Sequence, residues 1–331
     1  MVLLDTLKGR VASSIPVIFT GAGLARELAD VPWEALRSDA SVLAEAQLNF
    51  QRQTGMDWVT VYSDALPIPE VLGCTIRFSP VSGPLIDRQM SLQDFKPPSE
   101  IDYYATRSAA AMLGAIEICA RAVRDVPVGV LFEAPFTTAL RSFDATAAIK
   151  LMFKNPGLLR SALDFITGVL EGFSAEAIRK GASVVHIPDP FSSLDFISAR
   201  HFEEFSHPYL TRLIGSIHRM GGHAILHMCG NTESIWPKMA ETGALGLSLD
   251  QKMVLGNARA VLGKSVVLVG NVDPIHVLMM GDATAVRRAA VSCIETAGPD
   301  RFVLMPGCGT PPGTPIENLR AMVSTAKEYV V

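Results

Sequence analysis

The sequence has few charged residues and no excess of basic ones. Charged side chains make up 19% of its 331 residues, and the formal net charge is −4 at pH 7. Nucleic-acid binding usually requires a basic face, so this composition argues against a nucleic-acid partner. Hydrophobic residues make up 49% of the chain. Such a chain can bury a large core, which excludes a mostly disordered protein.

Long uninterrupted apolar runs are also missing. The most apolar helical stretch, residues 109–123, contains Glu117 and Arg121 and is too short to span a bilayer. Near the N-terminus, Asp5 and Lys8 stand where a signal peptide needs apolar residues. We therefore expect no association with a membrane and a cytoplasmic location.

Cysteine is scarce, and the number of cysteines is odd: there are 5 in the chain. In the cytoplasm we expect reduced thiols and no disulfide framework. Such thiols serve as buried small residues, catalytic groups or metal ligands. We expect Cys74, Cys119 and Cys293 to be buried small residues.

Short apolar runs rich in β-branched residues alternate with amphipathic stretches along the chain. Continuous Val, Ile and Leu runs suit parallel strands covered on both faces, and their alternation with helices indicates βαβ units. The pattern predicts an α/β fold of the TIM (β/α)8 barrel type, with an open doubly wound sheet as the alternative. The predicted strands are residues 16–19, 58–62, 128–132, 183–187, 224–227, 245–249, 266–269 and 302–305.

Helices are predicted after most of these strands. Residues 1–55 are expected to form extra N-terminal helices packed on the barrel, and residues 67–100 an irregular, proline-rich segment near its mouth. We expect one domain spanning residues 1–331. The predicted helices are residues 105–123, 144–153, 157–180, 199–220, 233–241, 283–296 and 317–329.

Polar side chains follow the predicted strands where each strand ends. In a TIM barrel the active site lies at the carboxyl ends of the strands, so these side chains are expected to surround one pocket. We expect Asp64, Glu133, His186, Asn271 and Asp273 to contact a substrate. A purely structural turn is the alternative for Asn271 and Asp273. The polar strand ends are Asp64, Glu133, Asp189, His227 with Cys229, Asp250, Asn271 with Asp273, and Cys308.

Three of these groups form a predicted metal site. His227 and Cys229 lie two residues apart on a strand and point to the same side, and Cys308 follows the last strand. One imidazole and two thiolates are a donor set that zinc favours, and three protein ligands leave one position open, as in catalytic sites. Asp250 is expected to be a displaceable fourth ligand and a catalytic group. The alternative is a core histidine with two buried cysteines.

Such a zinc site suits methyl transfer to or from sulfur. A free thiol has a pKa of about 8.5 and is mostly protonated at neutral pH. Binding to zinc removes that proton and keeps the sulfur nucleophilic.

The chain resembles the methylcobamide:coenzyme M methyltransferases and their relatives in the uroporphyrinogen decarboxylase superfamily. The resemblance covers nearly the whole chain and implies a TIM barrel with zinc on His227, Cys229 and Cys308. Cobalamin-independent methionine synthases look similar at the site, with a glutamate where this chain has the shorter Asp250. The stretches that carry the resemblance are HFEEFSHPYLTRLI, HMCGNT, GLSLDQKM, VGNVDP and MPGCGTPPGTPIENLRAM.

The resemblance implies a methyltransferase that moves a methyl group between a methylcorrinoid protein and a zinc-activated acceptor, such as coenzyme M or another thiol. One alternative is the first-step methyltransferase of an O- or N-demethylase, which passes methyl from a small-molecule donor to cob(I)alamin. Another is a decarboxylase like the superfamily's namesake. That enzyme carries an arginine-rich N-terminal motif, whereas this chain has only Arg26 in PVIFTGAGLARELAD.

The corrinoid is expected to be supplied by a partner protein. Corrinoid proteins carry Asp-x-His-x-x-Gly for the lower ligand of cobalt, and the nearest string here, from Asp273 to His276, has the wrong spacing. We therefore expect a separate corrinoid protein to dock over the mouth of the barrel.

Overall fold

The computed structural model describes residues 1–79, 83–93, 95, 97–98 and 100–329. Its strands are β1 (Val59–Val61), β2 (Thr75–Ser79), β3 (Gly83–Arg88), β4 (Val128–Leu131), β5 (Val184–Pro188), β6 (His223–Met228), β7 (Gly246–Leu249), β8 (Val267–Val272) and β9 (Phe302–Pro306). A parallel sheet of seven strands runs in the order β1-β4-β5-β6-β7-β8-β9, and β2 pairs with β3 in an antiparallel hairpin. Chain order equals spatial order in the parallel sheet, which is typical of a barrel.

The segment around Val17 closes the sheet between β9 and β1. Val17 forms a parallel bridge with Leu304, the Ile18 N–H donates to the Leu304 carbonyl, and the Asp57 N–H donates to the Val17 carbonyl. Pro16 has no N–H, and the Val17 N–H donates to the Asp57 carboxylate instead of a strand. The first predicted strand is therefore present as a bridge, and the predicted TIM barrel is confirmed.

Helices surround the strands. The α-helices are α1 (Val2–Leu7), α2 (Ala22–Ala29), α3 (Trp33–Ser38), α4 (Ala40–Thr54), α5 (Pro67–Leu72), α6 (Arg107–Ala122), α7 (Pro135–Ser142), α8 (Ala145–Lys154), α9 (Pro156–Arg179), α10 (Ala199–Phe205), α11 (His207–Arg219), α12 (Trp236–Glu241), α13 (Leu255–Leu262), α14 (Ala283–Ala297) and α15 (Ile316–Glu328). A π-helix covers Pro274–Met279. Among the described residues, no helix is long and apolar enough to cross a membrane.

Short polar side chains and proline start several of the helices. Asp39 accepts hydrogen bonds from two backbone N–H groups of α4, and Asp282 accepts one from α14. Asn155 caps α9, which has Pro156 in its first turn. These residues satisfy N–H groups that have no partner inside the helix. The helix starts are therefore encoded locally.

The predicted helix over residues 199–220 is wrong, because the structure has two helices there. Helix α10 ends before Ser206, and α11 begins at His207 with a proline in its first turn. Pro208 has no N–H to donate to the preceding turn, so it suits the first turn of a new helix and not the interior of a continuous one. The Ser206 hydroxyl instead donates to the Asp189 carboxylate at 2.7 Å. The break thus ties this helix pair to the carboxyl end of β5.

The prediction of an irregular segment over residues 67–100 is also wrong for its first part. Residues 67–88 contain α5 and the two strands of the hairpin, although residues 80–82 lie outside the described residues. Prolines suit the first turn of a helix, and Gly73, with φ +117°, ends this one in the left-handed region. Residues 94, 96 and 99 also lie outside the description. Helices α7 and α13 were not predicted, because both are short.

The barrel interior is packed with apolar side chains. Trp58 is fully buried, and its indole N–H donates to the Phe19 carbonyl at 2.9 Å. A Cβ atom on Gly129 would lie 2.8 Å from the Trp58 ring, so glycine makes room for the indole in the next strand. Apolar packing thus fills the barrel interior, and the polar side chains lie at the carboxyl ends of the strands.

Candidate metal centre

The carboxyl ends of β6 and β9 bring one imidazole and two thiols together. His227 lies in β6, Cys229 directly follows that strand, and Cys308 follows β9. The His227 Nε2 atom lies 3.0 Å from Cys229 Sγ, which lies 3.6 Å from Cys308 Sγ. All three donor atoms lie within 4.8 Å of one another. The structure therefore brings together the three residues that the sequence predicts as metal ligands.

A residue of the neighbouring strand orients the histidine. His227 pairs with Ser248 in the register of β6 and β7. The His227 Nδ1 atom lies 3.0 Å from the Ser248 hydroxyl and 3.2 Å from its carbonyl oxygen. An N–H on Nδ1 that donates to these acceptors leaves Nε2 as the lone-pair donor toward the thiols.

The two thiols lie within hydrogen-bond distance of each other. A hydrogen bond from Cys229 lowers the pKa of Cys308, and burial opposes this effect. The same hydrogen bond and burial raise the pKa of Cys229. Metal binding requires both sulfurs as thiolates, so a bound cation would displace thiol protons from this pair.

The donor geometry fits zinc. A tetrahedral zinc ion with Zn–S bonds of about 2.3 Å holds two sulfurs about 3.8 Å apart, and a nitrogen and a sulfur about 3.6 Å apart. The observed separation of 3.6 Å between the sulfurs is close to that edge. The separation of 3.0 Å between His227 and Cys229 is shorter, so a bound ion would widen it slightly. One nitrogen and two sulfurs are also the donor chemistry that zinc favours.

Asp250 lies beside the three donors but is held by the backbone. It is 6% exposed and follows β7. One carboxylate oxygen accepts from the Gly230 N–H at 2.8 Å, and the other accepts from the Lys252 N–H at 2.9 Å. The carboxylate therefore fixes the residue after Cys229. Metal ligation and catalysis by Asp250 stay predictions.

Gly230 permits this tight turn after Cys229. Its φ is +77°, and a Cβ atom there would lie 2.1 Å from an Asp195 carboxylate oxygen. The Asn231 N–H donates to the same carboxylate at 3.1 Å. Both the backbone conformation and the close approach require glycine at this position.

The three donors line a cavity of about 280 Å³. Its walls come from the ends of several strands and from the segment after the first bridge. Two of its polar residues, Glu133 and His186, are predicted substrate contacts. The lining residues are Thr20, Gly21, Tyr62, Leu131, Glu133, Arg141, His186, Pro188, Pro190, His227, Cys229, Met305, Cys308 and Gly309.

Glu133 and Arg141 form an ion pair in the cavity wall. Arg141 donates to both Glu133 carboxylate oxygens, with Nη2 to Oε1 at 2.7 Å and Nε to Oε2 as the second contact. Helix α7 carries the arginine back over the glutamate. Burial raises the pKa of Glu133, the Arg141 hydrogen bonds oppose this, and the charges of Asp189 and Asp64 raise it further. The carboxyl group therefore lies among other acids.

His186 faces the cavity as a neutral and unpartnered group. Its side chain is 1% exposed, and neither ring nitrogen has a hydrogen-bond partner among the described residues. Burial lowers its pKa well below the ordinary value, and the nearby His227 adds to the effect. An unsatisfied buried imidazole is rare and costs stability, which suggests that a ligand completes its hydrogen bonds. The substrate-contact role of His186 stays a prediction.

Two other strand ends lie outside the cavity wall. The Asp64 carboxylate accepts from Arg37 Nε at 2.6 Å, and this arginine is 4% exposed. Asp189 is fully buried and accepts from the hydroxyls of Thr137 and Ser206. Burial raises the pKa of Asp189. Asp189 therefore joins elements behind the cavity, and substrate contact by Asp64 stays a prediction.

Asn271 and Asp273 hold the turn after β8. The Asn271 amide donates to the carbonyls of Asp250 and Met253 at 2.9 and 2.6 Å. Asp273 caps the π-helix, and its carboxylate lies 3.0 Å from His276 Nδ1. These contacts match the structural turn that was the alternative from sequence. A substrate role for either residue stays a prediction.

Sequence reasoning missed Tyr62, Arg141 and Ser248. Burial and the charges of Glu133 and Asp64 raise the pKa of Tyr62, so its phenol stays protonated in the cavity wall. Tyr62 directly follows β1, so its place at a strand end was a usable signal. The contacts of Arg141 and Ser248 depend on tertiary pairing and had no local signal.

The other cysteines lie away from the donors. Cys74 and Cys119 are buried as predicted, whereas Cys293 is half-buried. The Cys293 thiol lies 3.8 Å from the side-chain oxygen Oδ1 of Asn271. All five cysteines are free.

An α/β barrel with a cavity and polar side chains at the carboxyl ends of its strands defines the class of barrel enzymes whose active site lies at that end. The profile of the uroporphyrinogen decarboxylase (URO-D) family matches residues 2–329, and the chain belongs to this family. The methylcobamide:CoM methyltransferase MtaA of Methanosarcina barkeri is 28% identical, over 99% of this chain and 97% of that protein.

Two further comparisons define the resemblance. A solved methyltransferase from Methanosarcina mazei is 29% identical, with a TM-score of 0.90 over 98% of this chain and 97% of that one. A uroporphyrinogen decarboxylase from Koribacter versatilis is 26% identical over 87% of this chain and 81% of that protein. The predicted resemblance to methyltransferases of this superfamily is confirmed.

Proposed function

We propose that this protein is a zinc methyltransferase that moves a methyl group between a methylcorrinoid protein and a thiol. The observation that carries the proposal is the His227, Cys229 and Cys308 donor group, which lines a cavity wide enough for a small substrate. Full-length similarity to methylcobamide:CoM methyltransferases supports the reaction class. Thiolate ligands also need reduced cysteines, which agrees with the predicted cytoplasmic location.

The residues of the chain prepare the thiol for attack. When bound, zinc supplies a positive charge that keeps the substrate sulfur deprotonated at neutral pH. Ser248 holds the His227 ring so that Nε2 faces the donor group. Asp250 holds the Gly230 backbone and so keeps Cys229 in place. Apolar side chains such as Leu131 and Met305 limit water in the cavity.

The corrinoid partner supplies or accepts the methyl group at the barrel mouth. The substrate thiolate attacks the methyl carbon, the carbon–cobalt bond breaks, and both bonding electrons go to cobalt. The product is a thioether, and the corrinoid of the partner protein is left in the cob(I)alamin state. The reverse direction transfers methyl from a thioether to the corrinoid.

A second candidate is the first-step methyltransferase of an O- or N-demethylase. The observation that favours it is the Tyr62 phenol in the cavity wall, which can donate a hydrogen bond to a departing oxygen or nitrogen. Decarboxylation is not favoured, since the sulfur donors have no role in it.

A methylcobalamin assay tests the proposed function. Zinc-loaded protein is mixed with methylcobalamin and with coenzyme M, homocysteine or tetrahydrofolate, and separately with cob(I)alamin and methoxyaromatics. We expect loss of the methyl–cobalt absorbance with at least one thiol. Cys308→Ala should abolish it and Cys119→Ala, a buried cysteine outside the site, should retain it. Activity with methoxyaromatics alone would favour the demethylase instead, and activity of the Cys308→Ala variant would refute both.

A further inference from the structure

The cavity beside the donor group has one cationic side chain in its described lining, and that side chain is already paired. Arg141 donates through Nε and Nη2 to both carboxylate oxygens of Glu133. This is the bidentate arrangement that a guanidinium would otherwise use to bind a carboxylate or sulfonate of a substrate. The pair therefore adds no net charge to the wall, and the binding edge of Arg141 is occupied.

Acidic groups surround this pair. Asp189 and Asp64 lie close enough for their charges to raise the pKa of Glu133, in addition to the effect of burial. Arg37 is the counter-ion of Asp64 and also lies 3.1 Å from Glu70, so it offers no free charge toward the cavity. These neighbouring residues therefore supply no free positive charge to the cavity wall.

The donor group with its zinc ion also provides no net positive charge. Two thiolates cancel the charge of a zinc ion, and the His227 imidazole is neutral when it acts as a ligand. A substrate thiolate adds one negative charge to that centre. A second negative charge on the same small substrate would lie near that centre without a free counter-ion in the described cavity wall, and like charges placed together disfavour binding.

We propose that the methyl acceptor is a thiol whose other end carries no negative charge, and that the Glu133–Arg141 pair sets this specificity. The inference rests on the proposed function, because it assumes that a thiol binds at the donor group. Glu133 acts by accepting the hydrogen bonds of the Arg141 guanidinium, which is then not free to bind an anionic substrate group. Arg141 in turn supplies the counter-ion of the buried Glu133 carboxylate.

Three thiols of equal length test the specificity. The compounds 2-mercaptoethanol, cysteamine and coenzyme M differ only in a hydroxyl, an ammonium or a sulfonate at the far end. With methylcobalamin as donor, 2-mercaptoethanol and cysteamine should each react with a specificity constant, kcat/KM, about tenfold or more above that for coenzyme M. The difference should lie mainly in KM. Calorimetric binding of the three thiols to the zinc-loaded protein should give the same order.

Glu133→Gln separates this specificity from general reactivity. In this variant a neutral amide replaces the carboxylate, so the Arg141 guanidinium becomes available to a substrate sulfonate. The ratio of coenzyme M activity to 2-mercaptoethanol activity should therefore rise about tenfold or more. Adding Arg141→Gln should reverse the gain. The matched control is Glu117→Gln, which removes a glutamate on α6 that is paired with Arg121 and Lys180 outside the cavity, and it should leave the ratio unchanged.

The outcomes are distinct. If the unaltered protein uses coenzyme M better than 2-mercaptoethanol, the specificity proposal is overturned while the methyltransferase proposal stands. An unchanged ratio in folded Glu133→Gln protein also overturns it. If none of the three thiols takes the methyl group, the specificity proposal is overturned, and the wider panel with homocysteine decides the proposed function separately. Should Glu133→Gln not fold, the comparison of the three thiols on the unaltered protein decides the matter.

Discussion

Ser248 lies opposite His227 in the parallel register and places its hydroxyl 3.0 Å from His227 Nδ1. A single cross-strand pair thus determines which nitrogen of the imidazole faces Cys229. In metal sites, such a hydrogen bond fixes the ring orientation and raises the basicity of the ligand. The metal affinity of the centre should therefore depend on a residue that does not bind the metal.

Ser248→Ala should weaken zinc binding without abolishing it. The Ser248 carbonyl oxygen, at 3.2 Å, still accepts from Nδ1 in this variant, so the loss should be about tenfold, the lower end of such effects. Competition with a chromogenic chelator measures it. The control is Ser174→Ala, which removes a buried hydroxyl bonded within α9 and should leave the affinity unchanged. Equal affinities for Ser248→Ala and the unaltered protein would show that the hydroxyl does not orient the ring.

Cys308→Ala should remove the metal. The unaltered protein should contain about one zinc ion per chain, because three protein donors hold a catalytic zinc. With only His227 and Cys229 left, the variant should lose most of its zinc on dialysis against a mild chelator. Elemental analysis of the dialysed protein provides the measurement. Cys119→Ala is the matched control, since its thiol lies in the buried core. Full zinc content in dialysed Cys308→Ala would exclude Cys308 as a ligand.

Asp250→Ala tests how Asp250 acts on the centre. Because both carboxylate oxygens accept from backbone N–H groups, we expect the variant to loosen the turn that carries Cys229 and to lower zinc affinity about 10- to 100-fold. X-ray absorption at the zinc edge should still show two sulfur ligands and one imidazole. Loss of an oxygen ligand from the spectrum of the resting protein would instead support direct ligation by Asp250.

His186→Phe should make the protein more stable and less active. Phenylalanine has a similar shape and no polar atoms, so removing two unsatisfied nitrogens should raise the free energy of unfolding by about 1 kcal/mol. If the imidazole contacts the substrate, kcat/KM should fall about tenfold or more. Chemical denaturation and the methylcobalamin assay measure the two effects. Unchanged activity in the folded variant would exclude a substrate contact.

The same histidine predicts how stability depends on pH. Burial holds the pKa of His186 well below 6.5 in the folded protein, whereas the unfolded chain takes up a proton near its ordinary pKa. Above the ordinary pKa of 6.5, both the folded and the unfolded chain hold a neutral His186, and stability does not depend on this group's protonation. Below that pH, only the unfolded chain takes up the proton, so the free energy of unfolding falls. Between pH 7.5 and 5, metal-free protein should lose up to about 1.4 kcal/mol per pH unit more than His186→Phe does. Equal slopes would contradict the prediction.

The fold was predictable because its signals are local. Apolar runs of strand length, separated by helical stretches, require βαβ units, and proline and capping residues mark several helix starts. What the pattern missed depends on context. Pro208 splits a continuous helical periodicity, and Pro16 with Asp57 reduces the first strand to a bridge.

The proximity of the three candidate metal donors was predictable from the sequence alone. The spacing of His227 and Cys229 fixes their common side of a strand, and the barrel brings all carboxyl ends to one face, so Cys308 joins them. The tertiary structure alone decided how the neighbouring groups act. Register placed Ser248 against His227, helix α7 returned Arg141 to Glu133, and backbone N–H groups engaged Asp250. The period of a strand is a local property, whereas the partner of a side chain depends on distances between elements that are distant in the chain.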